Sequence, residues 1–358
     1  FPGIFLHQPF PSSEIFRSLS HREELLRGVL CADHIGFHLY EWARNFLASC
    51  RRLLAVTFEA RRGGGLTVSY NGRSIAVTIT HMGVEPSLLL QKLPAPAVVR
   101  AAQKLRAAFG NAAVISSVDM LEGLKVHRMP SLSPRRLPVH PHHRSPLTAH
   151  RSPPIPSLQG VPLKLLAFEH FLHLHPHRAG SVVLALYGIV PDARPDDVHA
   201  CRREVTALVA RINGRFPRAV YFHELRSLPL VERIALWQAT DLLFVSSVRE
   251  GLNLMPFEYL LAREGNPGAL LLSEFSSVAR VLSGAVTTNP FSIKKVGLAI
   301  ETALSLPPDE RARRAAADLA STRLDSTSAW ARRVLLDVTR AARPAGAEGR
   351  GSAAGMGL

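Results

Sequence analysis

Asp241-Leu-Leu-Phe-Val-Ser-Ser-Val-Arg-Glu-Gly-Leu-Asn-Leu-Met-Pro-Phe-Glu-Tyr-Leu260 changes character twice. Residues 241–247 are a short apolar run with polar residues at its ends, which predicts a buried parallel strand. Arg249–Asn253 is a polar loop around Gly251, where a missing Cβ permits a tight turn or a close backbone approach. Pro256 suits the first turn of a helix, so 256–264 reads as helical. In open parallel sheets, strand–loop–helix junctions of this kind lie at the carboxyl ends of the strands, where ligands bind. The helix turns its free N–H groups and positive dipole end toward that crevice, which suits a diphosphate. Glu250 and Glu258 stand in this stretch with seven residues between them. Glutamates on loops and helices are usually solvated, so the pair counts only with its context.

The same alternation runs outward from this junction. After residue 160 the chain reads helix 162–175, strand 182–189, helix 196–213, strand 219–223 and helix 230–238. Beyond it come helix 256–264, strand 269–274, a short strand near Val286, and helices near 292–305, 308–321 and 327–341. Such alternation predicts a parallel, doubly wound sheet. Upstream, residues 3–7 and 33–38 read as strands, and 20–31 and 40–54 as helices. Residues 66–80 form a hairpin with Asn71-Gly72 as a type I′ turn. A helix over 97–109 follows, and 112–117 reads as the first strand of a second domain.

The bulk properties bound the function. At 358 residues the chain can hold two domains. No apolar run reaches membrane-spanning length. Cys31, Cys50 and Cys201 are too few and too scattered for a disulfide framework or a zinc site. They fit a reducing compartment, and a cytoplasmic location is expected. The formal charge of +15 would suit a polyanion, but five of its arginines crowd into 126–159 and the rest are scattered. Nucleic-acid and membrane partners are therefore not expected. His170, His173, His175 and His177 read as surface histidines at a helix end, because no Cys or acid completes a ligand set in the sequence.

Longer motifs carry a resemblance. Phe5-Leu-His-Gln-Pro-Phe-Pro-Ser-Ser-Glu-Ile-Phe16, Leu26-Arg-Gly-Val-Leu-Cys-Ala-Asp-His-Ile-Gly-Phe-His38 and Arg211-Ile-Asn-Gly-Arg-Phe216 resemble signatures of the trehalose-6-phosphate synthase family. So do Leu271-Leu-Ser-Glu-Phe275 and Thr288-Asn-Pro290, over about residues 3–340. Residues 126–159 do not belong: they hold eight prolines, five histidines and no acids, and cannot pack as helix or strand. Cutting them out joins Asp119-Met-Leu-Glu-Gly-Leu-Lys125 to Gly160-Val-Pro-Leu-Lys164, which resembles the family's DRLDYIKGIPxK motif without a gap. The segment reads as a disordered insert or a translated intron.

The resemblance implies an α/β fold of the GT-B type, with two Rossmann-like parallel-sheet domains facing a cleft and the first incomplete. The expected division is 1–110 on the acceptor side, then 111–125 with 160–326 on the UDP-sugar side. A terminal helix over 327–341 and a disordered tail over 342–358 follow. The implied reaction is retaining transfer of glucose from UDP-glucose to glucose 6-phosphate, with no metal or other cofactor. Cations and backbone N–H groups must then carry the leaving diphosphate. The resemblance assigns Lys125, His7 and Glu250 to catalysis. It assigns Gly251, Asn253, Leu254 and Glu258 to the donor, and Arg194 to the acceptor phosphate. Met120 stands where the family carries an Arg, and the family's upstream Gly-rich loop lies outside this chain. The chain as it stands is therefore expected not to turn over, and the rival expectation is a catalytically inactive, sugar-phosphate-sensing relative. Assembly with other synthase-family subunits is left open.

Overall fold

The computed structural model describes residues 2–60, 65–122, 160–192 and 195–341. Lys125, Arg194, the 126–159 segment and the 342–358 tail lie outside the described residues.

Two sheets organise the chain. The first contains β1 (Gly3–Leu6), β2 (His34–Phe37), β3 (Thr57–Ala60), β4 (Leu66–Tyr70) and β5 (Arg73–Ile79), in the order β1-β2-β5-β4-β3. β1, β2 and β5 are parallel, whereas β5, β4 and β3 form an antiparallel meander. The sheet is thus mixed, where the sequence suggested a parallel one. The hairpin forms as read: Tyr70 pairs with Arg73, and Asn71 and Gly72 take positive φ values of 50° and 72°. Both central residues of a type I′ turn require that conformation. β3 was not anticipated, because all four of its residues are exposed and no buried face imposes an alternation. Helices α1 (Ser13–Phe16), α2 (Arg22–Val29) and α3 (Tyr40–Leu54) precede this meander. Phe16, Leu26, Trp42 and Phe46 meet Ile35, Phe37, Ile75 and Val77 of the sheet in one core.

α4 (Pro86–Lys92) and α5 (Pro96–Phe109) lead to the second sheet. It contains β6 (Ala113–Met120), β7 (Val182–Ile189), β8 (Val220–Leu225), β9 (Leu242–Val245), β10 (Ala269–Ser273) and β11 (Val286–Thr288). The order β11-β10-β9-β6-β7-β8 is parallel throughout. This is the doubly wound order in which the chain starts centrally and winds outward twice, so β6 and β9 flank the topological switch point. The crevice beyond their carboxyl ends is the expected ligand site, and the loop after β9 carries Glu250 and Gly251.

Helices cover both faces, as parallel strands buried on both sides require. α6 (Val161–Leu174), α7 (Pro195–Arg215) and α10 (Ile293–Leu304) pack on one face through Leu165, Phe168, Phe171, Val205 and Ile300. α5, α8 (Leu230–Ala239), α9 (Met255–Ala262) and α11 (Pro308–Leu324) pack on the other through Val98, Trp237, Phe257, Tyr259 and Leu319. α12 (Thr327–Ala341) then crosses back to the first sheet. Its entry is fixed by the Thr327 amide donating to the Val84 carbonyl (3.3 Å) and the Thr327 hydroxyl to the Gly83 carbonyl (2.7 Å). A Cβ on Gly83 would lie 2.0 Å from the Asp325 carbonyl oxygen, so only glycine admits this crossing.

Candidate functional site

A cavity of about 490 Å³ opens where the two sheets face each other. Its walls come from three directions. His7, Gln8, His38 and Met82 contribute from the first sheet's side. Asp119 and Met120 contribute from the end of β6, and Arg226–Leu228 from the loop after β8. Glu250–Asn253 contribute from the loop after β9, and Met255 from the start of α9.

Gly251 earns its place by approach across the cleft. A Cβ there would lie 2.7 Å from the His7 carbonyl oxygen, so a larger residue would push the two halves apart. Asn253 accepts from the Met255 amide (3.0 Å), which fixes the first turn of α9. Its side-chain amide faces both Glu250 oxygens at 3.4 Å. The Glu250 carboxylate also accepts from the Ser276 hydroxyl at 2.5 Å. Burial pushes this carboxyl above its ordinary value, against bonds from Ser276, Ser247 and Asn253, and nearby Asp119 adds to the rise.

Beneath Glu250 lies a buried ion pair. Lys164 of α6 donates to Asp119 of β6 at 2.6 Å, with both side chains almost fully removed from solvent. The Ser117 hydroxyl lies 2.5 Å from the same Asp119 oxygen and 2.9 Å from the Phe244 carbonyl of β9. Burial lowers the Lys164 pKa, and Asp119 and Glu250 oppose that. The cluster ties β6, β9 and α6 together at the switch point.

The structure does not bring all assigned residues to the wall. His7, Glu250, Gly251 and Asn253 line the cavity; Leu254 and Glu258 do not. Leu254 packs against the core beside α9. Glu258 is gripped by Arg233 through two hydrogen bonds (2.6 and 2.8 Å) and by the Trp237 indole (3.2 Å). It thus supports Arg233, which does line the cavity. Met120 is 38% exposed and presents a thioether to the cavity where the family motif has a guanidinium. Sequence reading missed Arg226, Arg233 and His38 as wall residues. The available signal for Arg226 was its position just past a parallel strand of the same sheet.

At the far end of α6, donor atoms of His175, His177 and Glu301 lie within 4.8 Å of one another. Glu301 is already held by Arg178 (3.0 and 2.5 Å) and Ser305 (2.8 Å). His173 instead rests on the Phe216 ring.

A doubly wound sheet thus faces a second sheet across a cleft, with Glu250 on the loop at the switch point. Residues 2–129 and 155–340 match glycosyltransferase family 20, and the chain belongs to that family. It is 36% identical over 315 residues to alpha,alpha-trehalose-phosphate synthase [UDP-forming] 2 of Aspergillus fumigatus, covering 87% of this chain and 58% of the relative. It is 34% identical over 312 residues to the alpha,alpha-trehalose-phosphate synthase [UDP-forming] of Candida albicans, covering 86% and 57%. The crystal structure of a UDP-forming synthase of this kind from Burkholderia xenovorans superposes with a TM-score of 0.79 at 26% identity, covering 96% of this chain and 69% of that one. The fold is accordingly GT-B. The chain spans less than three fifths of the length of the two fungal relatives.

Proposed function

We propose that this chain is the core of a retaining glucosyltransferase that moves glucose from UDP-glucose to glucose 6-phosphate, forming trehalose 6-phosphate. The observation that carries the reading is the cavity at the β6/β9 switch point, walled by the Glu250–Asn253 loop on one side and His7 on the other. The names of the curated relatives support a UDP-forming synthase and weigh against an inactive sensor.

In this reading residues 1–110 form the acceptor-side domain, and 111–125 with 160–326 the donor-side domain; the 327–341 helix returns to the first. The Gly251–Leu254 backbone and the N-terminus of α9 face the donor's diphosphate. Glu258, expected at the ribose hydroxyls, acts on the donor through Arg233, whose guanidinium it holds at the cavity wall. Glu250 and His7 flank the transferred glucose. Lys125 completes the leaving-group site and Arg194 meets the acceptor phosphate. Charge on the departing UDP is met by cations and N–H groups, with no metal. Assembly with synthase-family subunits and a cytoplasmic location belong to the same proposal. Among the described residues no helix is long and apolar enough to cross a membrane.

The test is product formation. Incubation with UDP-glucose and glucose 6-phosphate should release UDP and give an α,α-linked disaccharide phosphate by NMR, and Glu250→Gln should abolish it. A β-linked product, or turnover unaffected by Glu250→Gln, would defeat the proposal.

A further inference from the structure

The strongest unassigned feature is a ring cluster behind His7. Its Nδ1 lies 2.9 Å from Nε2 of His38, on the neighbouring strand end. The Met82 amide donates to the other His38 nitrogen, Nδ1, at 3.3 Å. Three aromatic rings enclose the pair. Phe5 packs against both histidines (centroids 5.0 and 4.9 Å) and lies over Gly36, where a Cβ would clash at 2.3 Å. Trp42 meets His38 edge-on at 5.7 Å. Trp330, brought from α12, lies 5.9 Å from His7 and stands edge-on to Phe5 at 5.0 Å.

The bonding direction has a chemical consequence. A neutral imidazole carries one proton, so one nitrogen donates and the other accepts. If Met82 donates to His38 Nδ1, the His38 proton is on Nε2 and is given to His7 Nδ1. His7 then keeps its own proton on Nε2. We propose that His38 is a positioning residue for His7: it locks the His7 tautomer and ring angle so that a fixed N–H donor is presented to the cavity. Such a donor suits a hydroxyl oxygen of the hexose carried by the nucleotide, a point that rests on the glucosyltransferase reading. The relay needs a neutral His38. Burial and the adjacent His7 push the His38 pKa down to about 4, against the Thr80 carbonyl. Trp330 makes α12 part of this support, 292 residues after the strand end it covers is passed at His38.

Long-range proton–nitrogen NMR of ¹⁵N-histidine-labelled full chain reads each ring's tautomer directly, with His7→Asn and His38→Gln spectra giving the assignments. The expected result is protonated Nε2 on both rings. His38→Gln keeps an N–H donor toward His7 and should preserve the His7 tautomer, whereas His38→Leu should leave His7 as a mixture. Calorimetry adds a functional arm: His38→Leu should weaken UDP-glucose by about tenfold, the scale of one hydrogen bond, and leave UDP unchanged. A wild-type His7 protonated on Nδ1 would mean that His38 donates to Thr80 instead, and would overturn the proposal. So would an unchanged His7 tautomer in His38→Leu, or equal loss of UDP and UDP-glucose. Failure of wild-type protein to bind UDP would count against the glucosyltransferase reading, and the tautomer spectra would still decide this one.

Discussion

Lys164→Met is the perturbation that most directly probes how the site is built. Met matches the length of the Lys stem but carries no charge. The substitution leaves Asp119, whose side chain is 2% exposed, without its 2.6 Å partner and next to Glu250. Ser117 remains as a donor, so one hydrogen bond survives. Removing one member of a buried ion pair typically costs about 3–5 kcal/mol, because the other charge is left uncompensated. The surviving Ser117 bond places the expected loss near the lower end, about 3 kcal/mol. Replacing both members, Lys164→Met with Asp119→Leu, should recover most of it, since an apolar pair of similar volume is often neutral or better. Urea denaturation of the wild type, both single variants and the double variant supplies the cycle. Each single variant should lose far more than the double. A loss below about 1 kcal/mol in Lys164→Met, or a double variant as unstable as the singles, would refute the claim that this pair is a coupled, desolvated unit.

Met120→Arg should strengthen UDP binding or turnover by about ten- to a hundredfold, the worth of a charged hydrogen bond of about 1.5–3 kcal/mol; no gain by calorimetry would mean that the β6 end does not face the diphosphate. Glu250→Gln should stabilise the fold at neutral pH, because burial raises the Glu250 pKa from its ordinary 4.5 and ionisation therefore opposes folding. That gain should vanish as pH falls below the ordinary carboxyl value, where both states are protonated, and a pH-independent difference in thermal midpoint would contradict it. His38 titrates the other way: its folded-state pKa of about 4 lies below the ordinary 6.5. Stability should be intact above 6.5 and decline by about 3 kcal/mol as pH falls to 4, and His38→Gln should remove that part of the decline in acid-unfolding curves. Gly251→Val should open the cleft and lower UDP-glucose affinity, since even a Cβ meets the His7 carbonyl; unchanged affinity would show that the contact is dispensable.

The second sheet was legible because its strands are buried on both faces and its helices are periodic, so the alternation survives in the letters. The order of the strands, and hence the switch point between β6 and β9, was not legible, because right-handed crossovers allow more than one doubly wound order and only the strand pairing decides it. The loop carrying Glu250 and Gly251 was legible from the alternation. β3 was not, since an exposed edge strand has no pattern to impose. The departures at the site come from contacts distant in sequence. Glu258 reads as a free carboxylate until Arg233 and Trp237 of α8 close on it. Asp119 and Lys164 sit in a recognisable motif, but their burial as a pair depends on how α6 docks under β9. Trp330 belongs to a helix that could be read only as terminal, and its place beside His7 depends on the glycine crossing at Gly83.

Calorimetric titration of the full chain with UDP, in EDTA and with added divalent cation, beside Glu258→Gln, tests the donor site most directly. Binding should be unchanged by EDTA and weakened about ten- to a hundredfold by Glu258→Gln, the worth of hydrogen bonds to a charged group. Binding that requires a metal ion, binding indifferent to Glu258→Gln, or no binding of UDP would contradict this assignment.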